Sequence, residues 1–434
     1  MTAIKDPNAK LSLWREGDSE KPVPIRPNKD IFRPEILDAI EKKMEEMSDE
    51  LRELSLDIHS HPELKFQETH AHDVMTAFMS KHGFEVEKHC LLDTAWRATF
   101  KHGSGGRIIG VNSEMDALPG VGHGMAGIAV ACAMKAAMGQ FNISGTIQLL
   151  GTPGEEGGGG KVKLLEKGAY KDMDICLMCH PAPGPKGSVS ISSCLALQRI
   201  AVEYFGHTAH AALSPWEGIN ALDAAVLAYN NVSALRQQLK PTVRVHGIFE
   251  GKDWATNIIP DYAKYLCYVR APTRKEQEAA MERVMPCFEA AALATGCEHK
   301  ITIFGQTHDL RQNKTLGDEV AYVFESRYGR SDTEYGISSA STDFGNVTYG
   351  KYLANSVQKL PSLHPGFAIP TVQNGGNHTS AFTKAAATLE AHNATLDVSK
   401  ALAHAGIRTL LDDHFFSEIK RTFEEDKVAR EMIA

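Results

Sequence analysis

Hydrophobic and polar residues follow two different periods in the first half of the chain. Apolar residues recur at helical spacing in DIFRPEILDAIEKKMEEMSDELRELSLDIHSHPEL and in ETHAHDVMTAFMSKHGF, which predicts two helices. The apolar runs RIIGVNSEM, GTIQLLGTP and MDICLMCHP are bounded by turn residues and predict strands. The Ala- and Met-rich segment AGIAVACAMKAAMGQF predicts a helix between the first two of them. Strand, helix and strand at this spacing indicate a parallel-rich sheet with flanking helices.

The pattern changes at about residue 197. The segments LQRIAVEYFG, INALDAAVLAYNNVSALRQQL, TVRVHGIFEG, AKYLCYVRAP, RKEQEAAMERVMPCFEAAALATG and HKITIFGQ predict the order β-α-β-β-α-β, a ferredoxin-like unit. The helical patterns DEVAYVFESRYG and TLDVSKALAHAGIRTLLDDHFFSEIKRTFEEDK then return the chain to the first domain. We therefore predict an extended arm at 1–35, an α/β domain at 36–196 and 310–434, and an inserted α+β domain at 197–309.

Composition limits the classes of partner. The chain has 434 residues and a formal net charge of −8, which argues against nucleic acid or an anionic membrane as the main partner. No apolar run approaches the roughly 20 residues that span a bilayer. Eight scattered cysteines are typical of free thiols in a reducing compartment, so we predict a cytoplasmic protein that acts on a small molecule.

Candidate chemistry gathers at the predicted strand ends. Glu155 and Glu156 follow a strand and precede a run of glycines, and ligands bind at the carboxyl ends of parallel strands in open α/β sheets. Neighbouring carboxylates can divide metal binding and proton transfer between them. A solvated acidic turn is the alternative, but four successive glycines indicate unusual dihedral angles or close approach and favour a site. His180 and His364 each precede a proline at a predicted strand end, and His210 lies on the insert, where it could close over a substrate.

Eight motifs in order carry a family resemblance. They are HSHPELKFQE, EMDALPGVGH, GTPGEEGGGG, MCHPAP, GHTAHAA, NIIP, ASTDFGNVT and LHPGF. From about residue 40 onward the chain resembles the aminoacylase/carboxypeptidase group of co-catalytic metallopeptidases. The nearest branch holds the hippurate and auxin-conjugate amidohydrolases and the cytosolic dipeptidases. The resemblance implies a zinc-peptidase-like catalytic domain with two metals and a ferredoxin-like lid that forms a homodimer.

The resemblance also implies a role for particular residues. Glu155 corresponds to the general base, and Glu156, His180 and His364 correspond to metal ligands. His210 corresponds to the lid histidine that reaches the partner's site and polarises the scissile carbonyl. Asn257 corresponds to a lid residue near the substrate, and Asp116 corresponds to the aspartate of the DALP turn.

One motif departs from the family pattern. The branch reads GHACGHN, in which the cysteine bridges both metals and the second histidine binds one of them, whereas this chain reads GHGMAGI. His123 is retained as a further candidate ligand, but Met125 and Gly127 occupy the two usual ligand positions. A thioether suits soft metals rather than Zn²⁺, and glycine has no side chain. We therefore expect one metal, Zn²⁺ or Mn²⁺, or none.

Three functions remain open from the sequence. The first is an amidohydrolase or dipeptidase that cleaves an amide bond of a small N-acyl amino acid or dipeptide-like substrate, with at most one metal and Glu155 as general base. The second is a metal-independent acid/base enzyme that catalyses a cyclisation, condensation, isomerisation or elimination on a small metabolite. The third is a non-catalytic homologue, against which the intact GEEGGGG, CHP and LHP motifs argue.

Overall fold

The computed structural model describes residues 31–116, 125–331, 340–349 and 360–432. Its helices are α1 (Pro34–Ser60), α2 (Thr69–Lys81), α3 (Met125–Gln140), α4 (Gly160–Glu166), α5 (Ala221–Leu235), α6 (Arg274–Thr295), α7 (Lys314–Arg327), α8 (Phe344–Tyr349), α9 (Ser380–Ala386), α10 (Leu389–Leu411) and α11 (Asp413–Met432). Its strands are β1 (Glu85–Lys88), β2 (Trp96–His102), β3 (Ile108–Glu114), β4 (Gly145–Thr152), β5 (Ile175–Leu177), β6 (His180–Pro183), β7 (Ser188–Ser190), β8 (Ala196–Phe205), β9 (Arg244–Gly251), β10 (Tyr262–Ala271), β11 (Glu298–Thr307), β12 (Arg330–Ser331), β13 (Ser362–Leu363) and β14 (Gly366–Ile369).

The described residues divide into two compact units. The first comprises the described residues up to Ser193, those from Leu310 to Ser331 and those from Asn346 onward. The second comprises Cys194–Asp309 together with Ala340–Gly345. Within the described part of the chain, no helix is both long enough and apolar enough to cross a membrane.

The first unit is built around a six-stranded sheet. Its strand order is β1-β2-β4-β3-β5-β13, and the four strands from β4 to β13 are parallel, which confirms the predicted parallel-rich α/β class. β3 is buried along nearly its whole length, as expected of a strand covered on both faces. The small side chains of α3 let that helix pack closely against β3, β4, α1 and α10. Strands β1 and β2, which the hydrophobic pattern did not predict, add the antiparallel edge.

The segment MDICLMCHP forms two strands, so the prediction of one strand was wrong. β5 pairs with β13 in the six-stranded sheet, whereas β6 pairs with β14 in a four-stranded sheet of order β12-β7-β14-β6. The chain passes from β5 to β6 and from β13 to β14 at corresponding positions. These positions are His180 and His364, and each is followed by a proline. Proline has no N–H to donate to a ladder, so His-Pro is a natural point for the break.

The second unit has the predicted β-α-β-β-α-β order. Its four strands pair antiparallel in the order β11-β8-β10-β9, and α5 and α6 pack on this sheet. The side chain of Asn220 accepts the backbone N–H groups of Leu222 and Asp223, which begins α5. Thr273 caps α6 in the same way through the N–H of Glu276.

The C-terminal helical pattern is also interrupted. The sequence predicts one helix from residue 395 to 427, but the structure has α10 and α11 with a break at Asp412. Asp412 adopts an extended backbone conformation, and its carboxylate accepts the N–H of Phe415, which caps the second helix. A short polar residue that offers its own cap can therefore divide an otherwise continuous helical pattern.

Candidate active site

A buried aspartate accepts hydrogen bonds from the backbone of the Glu155–Glu156 turn. Asp116 lies two residues beyond β3, and its two carboxylate oxygens accept the backbone N–H groups of Glu155 and Glu156, each at 2.9 Å. Burial raises the pKa of Asp116, and the two backbone hydrogen bonds act in the opposite direction. The aspartate of the DALP turn therefore fixes the backbone from which both glutamate side chains project.

A second buried carboxylate supports the same turn. Glu68 Oε1 accepts the N–H of Gly154 at 2.9 Å and that of Phe66 at 2.8 Å, and Oε2 accepts the hydroxyl of Thr94 at 2.7 Å. Burial raises the pKa of Glu68. Gly154 has a φ of +67°, and a Cβ there would lie 2.7 Å from the Phe66 ring. The sequence pattern did not single out Glu68, although it lies inside one of the family motifs.

A buried ion pair lies beside the turn, and the sequence pattern did not predict it. Lys161 is fully buried in α4, and its Nζ lies 2.7 Å from Oε1 of Glu114 at the end of β3. Burial alone would raise the pKa of Glu114, but Lys161 and the nearby histidines outweigh it and hold the pKa below its usual range. A carboxylate oxygen of Glu155 lies within 4.8 Å of one of Glu114. The one feature of the sequence that could have indicated this ion pair is the lysine directly after the glycine run.

His180 and His364 meet where the strand pair changes sheet. His180 begins β6, its N–H donates to the Pro365 carbonyl at 3.1 Å, and its ring centroid lies 6.3 Å from that of His364. Nδ1 of His180 lies 2.7 Å from the Pro181 carbonyl, and Nε2 lies 3.9 Å from Glu114 Oε2. Since a carbonyl only accepts, Nδ1 donates its proton to Pro181, and Nε2 faces the Glu114 side of the cluster.

Gln312 holds the backbone of His364. Its Oε1 accepts the His364 N–H at 2.8 Å, and its Nε2 donates to the His364 carbonyl at 2.6 Å. Burial lowers the pKa of His364 to about 3, so the imidazole is neutral at pH 7. A neutral imidazole is the form that binds a metal or accepts a proton.

The structure brings some of the predicted site residues together and separates others. Glu155 lies near Glu114, and His180 lies near both Glu114 and His364. Glu156, His180 and His364 do not form one close group of ligand atoms. Among the described residues, no set whose ligand atoms all lie within 4.8 Å of one another contains these three side chains. Imidazole nitrogens and carboxylate oxygens are nevertheless ligands that Zn²⁺ accepts, so the donor chemistry fits a single metal.

The departure in the GHGMAGI stretch has a structural counterpart. His123 lies outside the described residues. Met125 begins α3 and packs in the apolar core, with 4% of its surface exposed. Gly127 lies against β3, and a Cβ there would be 2.5 Å from the Asn112 carbonyl oxygen. Neither position can offer a ligand, so the described residues do not fit the two-metal centre that the resemblance implies.

The two lid residues lie in the second unit. His210 is exposed, and its Nδ1 accepts the N–H groups of Ala212 at 3.2 Å and Leu213 at 3.1 Å. Nδ1 therefore acts as an acceptor, and Nε2 carries the proton and is a donor. The carbonyl of Asn257 accepts the N–H of Ala211 at 2.9 Å, which ties its loop to that of His210.

Comparison with known proteins places this sequence and fold in one family. Residues 197–295 match the peptidase dimerisation domain. The Xaa-Arg dipeptidase of Homo sapiens is 38% identical over 415 residues, which cover 88% of this chain and 90% of the relative. The hippurate hydrolase of Campylobacter jejuni is 25% identical over 346 residues, which cover 72% of this chain and 86% of the relative.

A solved structure gives the same fold. A dinuclear metal binding peptidase from the M20 family of Bacillus subtilis superposes with a TM-score of 0.63 at 19% identity, over 84% of this chain and 99% of its own. The chain belongs to the M20 peptidase family, and it is a hydrolase of the amidohydrolase and dipeptidase type.

Proposed function

We propose that the enzyme cleaves the amide bond of a small dipeptide or N-acyl amino acid, with Glu155 as general base and at most one metal. The observation that carries this proposal is the double support of the Glu155 turn by the buried carboxylates of Asp116 and Glu68. Acid–base catalysis requires a carboxylate in a fixed position, and these two buried carboxylates fix the backbone of the turn that carries Glu155. The identity to the Xaa-Arg dipeptidase favours a dipeptide with a basic C-terminal residue.

The protein's own groups account for the proton transfers. Glu155 takes a proton from the attacking water and returns it to the leaving amine, so that the carboxylate is regenerated after each turnover. The nearby Glu114 carboxylate, within 4.8 Å, favours the protonated form of Glu155 once it has taken that proton. We assign to the Nε2–H of His210 the hydrogen bond that stabilises the developing oxyanion. In the proposed homodimer, each subunit supplies this histidine to the active site of its partner.

A single Zn²⁺ or Mn²⁺ would be held by Glu156, His180 and His364. When bound, such a metal lowers the pKa of a water molecule toward about 7. The hydrogen bond from His180 Nδ1 to Pro181 and the neutral state of His364 prepare both imidazoles for this role. His123, two residues before Met125 in the sequence, is a further candidate ligand.

The buried lysine favours a second candidate function. Lys161 places a fixed positive charge beside Glu114, and such a cation opposes the binding of another cation nearby. A metal-independent acid/base reaction on a small metabolite would use the same carboxylates and imidazoles, with Lys161 keeping Glu114 ionised. Chelators separate the two candidates, because only the metal-assisted hydrolase would lose its activity.

The test is hydrolysis of a substrate panel by wild-type protein and Glu155→Gln. The panel contains dipeptides ending in Arg or Lys and N-acyl amino acids. Glu155→Gln keeps the shape of the side chain but removes the base, so we expect kcat to fall by at least about 10²-fold. Glu166→Gln, an exposed glutamate at the end of α4, is the matched control and should keep full activity. Full turnover by Glu155→Gln would refute the assignment of the base.

A further inference from the structure

A cluster of metal-ligating side chains lies outside the active site, at the junction of α1 and α2. We propose that Asp57, His61 and His70 form a binding site for a divalent transition metal such as Zn²⁺. Their ligand atoms all lie within 4.8 Å of one another. Asp57 Oδ1 lies 3.2 Å from His61 Nδ1, and Oδ2 lies 3.1 Å from His70 Nε2. This site does not depend on the proposed function.

The local fold explains why these side chains meet. Asp57 lies in the last turn of α1, and His61 directly follows that helix four residues later, so the two side chains come together. His70 is the second residue of α2. The Glu63 carboxylate accepts the N–H groups of His70 and Ala71, which fixes the first turn of α2 opposite the end of α1.

The spacing and chemistry match zinc. Zinc–nitrogen and zinc–oxygen bonds of about 2.0–2.1 Å give ligand–ligand distances of about 3.3 Å in a tetrahedron, close to the two distances measured here. Two imidazoles and one carboxylate are a ligand set that Zn²⁺ accepts, with water as the fourth ligand. The side chains of Asp57, His61 and His70 are 40%, 55% and 34% exposed, so an ion from solution can reach them.

Simple ion pairing explains the cluster less well. The two imidazole rings lie 4.2 Å apart between centroids and face the same carboxylate. Two protonated imidazoles at that distance would repel each other, whereas one metal would satisfy both rings and the carboxylate at once. His61 Nδ1 now lies 2.8 Å from the Asp57 carbonyl, so metal binding requires its proton to move to Nε2.

A metal at this site would act on the segment between the two helices. That segment contains Phe66 and Glu68, which contact and hydrogen-bond the Gly154 turn. Joining the ends of α1 and α2 through one ion would restrict the segment and with it the support of the turn. We therefore expect Zn²⁺ to raise the melting temperature of the protein.

The experiment is a Zn²⁺ titration of chelator-treated, dialysed protein, with binding followed by calorimetry and thermal unfolding. Wild type should bind one zinc more per chain than His70→Asn and Asp57→Asn, whose affinity at this site should fall at least about tenfold. His299→Asn, an exposed histidine on β11, should behave as wild type. The extra equivalent should persist in Glu155→Gln.

Crystals soaked in Zn²⁺ provide a second measurement. Anomalous density between Asp57, His61 and His70 would support the proposal directly. Equal numbers of zinc equivalents in wild type, His70→Asn and Asp57→Asn, all folded by circular dichroism, would overturn it. A zinc-induced rise in melting temperature that is as large in both variants as in wild type would overturn it equally.

Discussion

Replacing Glu68 by alanine should destabilise the protein and misplace the Glu155 turn. Glu68 is fully buried, and three donors depend on its carboxylate: the N–H groups of Phe66 and Gly154 and the Thr94 hydroxyl. A buried donor left without its acceptor costs about 1–3 kcal/mol. Removing a buried carboxylate also relieves the burial penalty that raises its pKa. We therefore expect a net loss of about 3–5 kcal/mol in the free energy of unfolding.

Two further variants make this prediction specific. Glu68→Gln keeps the acceptor for both N–H groups, and the Thr94 hydroxyl can turn to accept from the new amide, so the loss should stay below about 1 kcal/mol. Glu63 also accepts three hydrogen bonds, from the Thr69 hydroxyl and the N–H groups of His70 and Ala71, but it is only partly buried. Water can replace its carboxylate, so Glu63→Ala should cost about 0.5–2 kcal/mol.

The assay is urea unfolding by circular dichroism, with kcat measured on the same preparations. Glu68→Ala should lower kcat about 10²-fold because the base moves, whereas Glu63→Ala should not. The raised pKa of Glu68 adds a pH test. The folded state holds this proton above the usual carboxyl pKa of 4.5, so wild type should gain stability relative to Glu68→Gln as the pH falls toward 4.5. Equal losses in Glu68→Ala and Glu63→Ala would refute the reasoning.

Three other predictions concern packing, positioning and thiol reactivity. Gly127→Ala should lower the free energy of unfolding by about 1–3 kcal/mol, because its Cβ would meet strand backbone at 2.5 Å; thermal unfolding measures this. Gln312→Ala removes both hydrogen bonds to the His364 backbone and should lower kcat/KM at least about tenfold. Burial raises the pKa of both Cys287 and Cys176, but Cys287 is partly exposed and should react with a thiol reagent at pH 8, whereas the buried Cys176 should react only after unfolding.

Each of these predictions has a contradicting outcome. A melting temperature for Gly127→Ala at or above that of wild type would mean that the helix and strand are not in close contact. Unchanged kcat/KM in Gln312→Ala, alongside an exposed control such as Gln237→Ala, would remove the positioning role of Gln312. Rapid labelling of Cys176 in folded protein would contradict its burial.

The lid was predictable because its pattern is local. Each of its strands and helices has its own period and its own boundary residues, such as Asn220 and Thr273 at the two helix starts. The segment 175–183 was not predictable in the same way. Whether an apolar run stays in one sheet or passes to another depends on the partner strand, here β14, which lies almost 200 residues further along the chain.

The site residues that belong to motifs were predictable from the sequence. Those whose role depends on burial were not. Glu155, Glu156, His180 and His364 were found from motifs at strand ends, and their roles remain predictions. Glu68, Glu114, Lys161 and Gln312 were not, because a charged or amide side chain has no sequence pattern that shows it will be buried. Their importance follows only from the donors and charges that the fold places around them.

The most direct test of the account is the metal content per chain of active protein, measured by mass spectrometry on the His70→Asn variant purified without added metals or chelators. That variant removes the surface site from the count while leaving the active site intact. We predict at most one tightly held Zn²⁺ or Mn²⁺ per chain, together with amide hydrolysis that depends on Glu155. Two metals per chain would contradict this prediction, because the two-metal centre that the resemblance implies uses ligands at the positions that Met125 and Gly127 occupy.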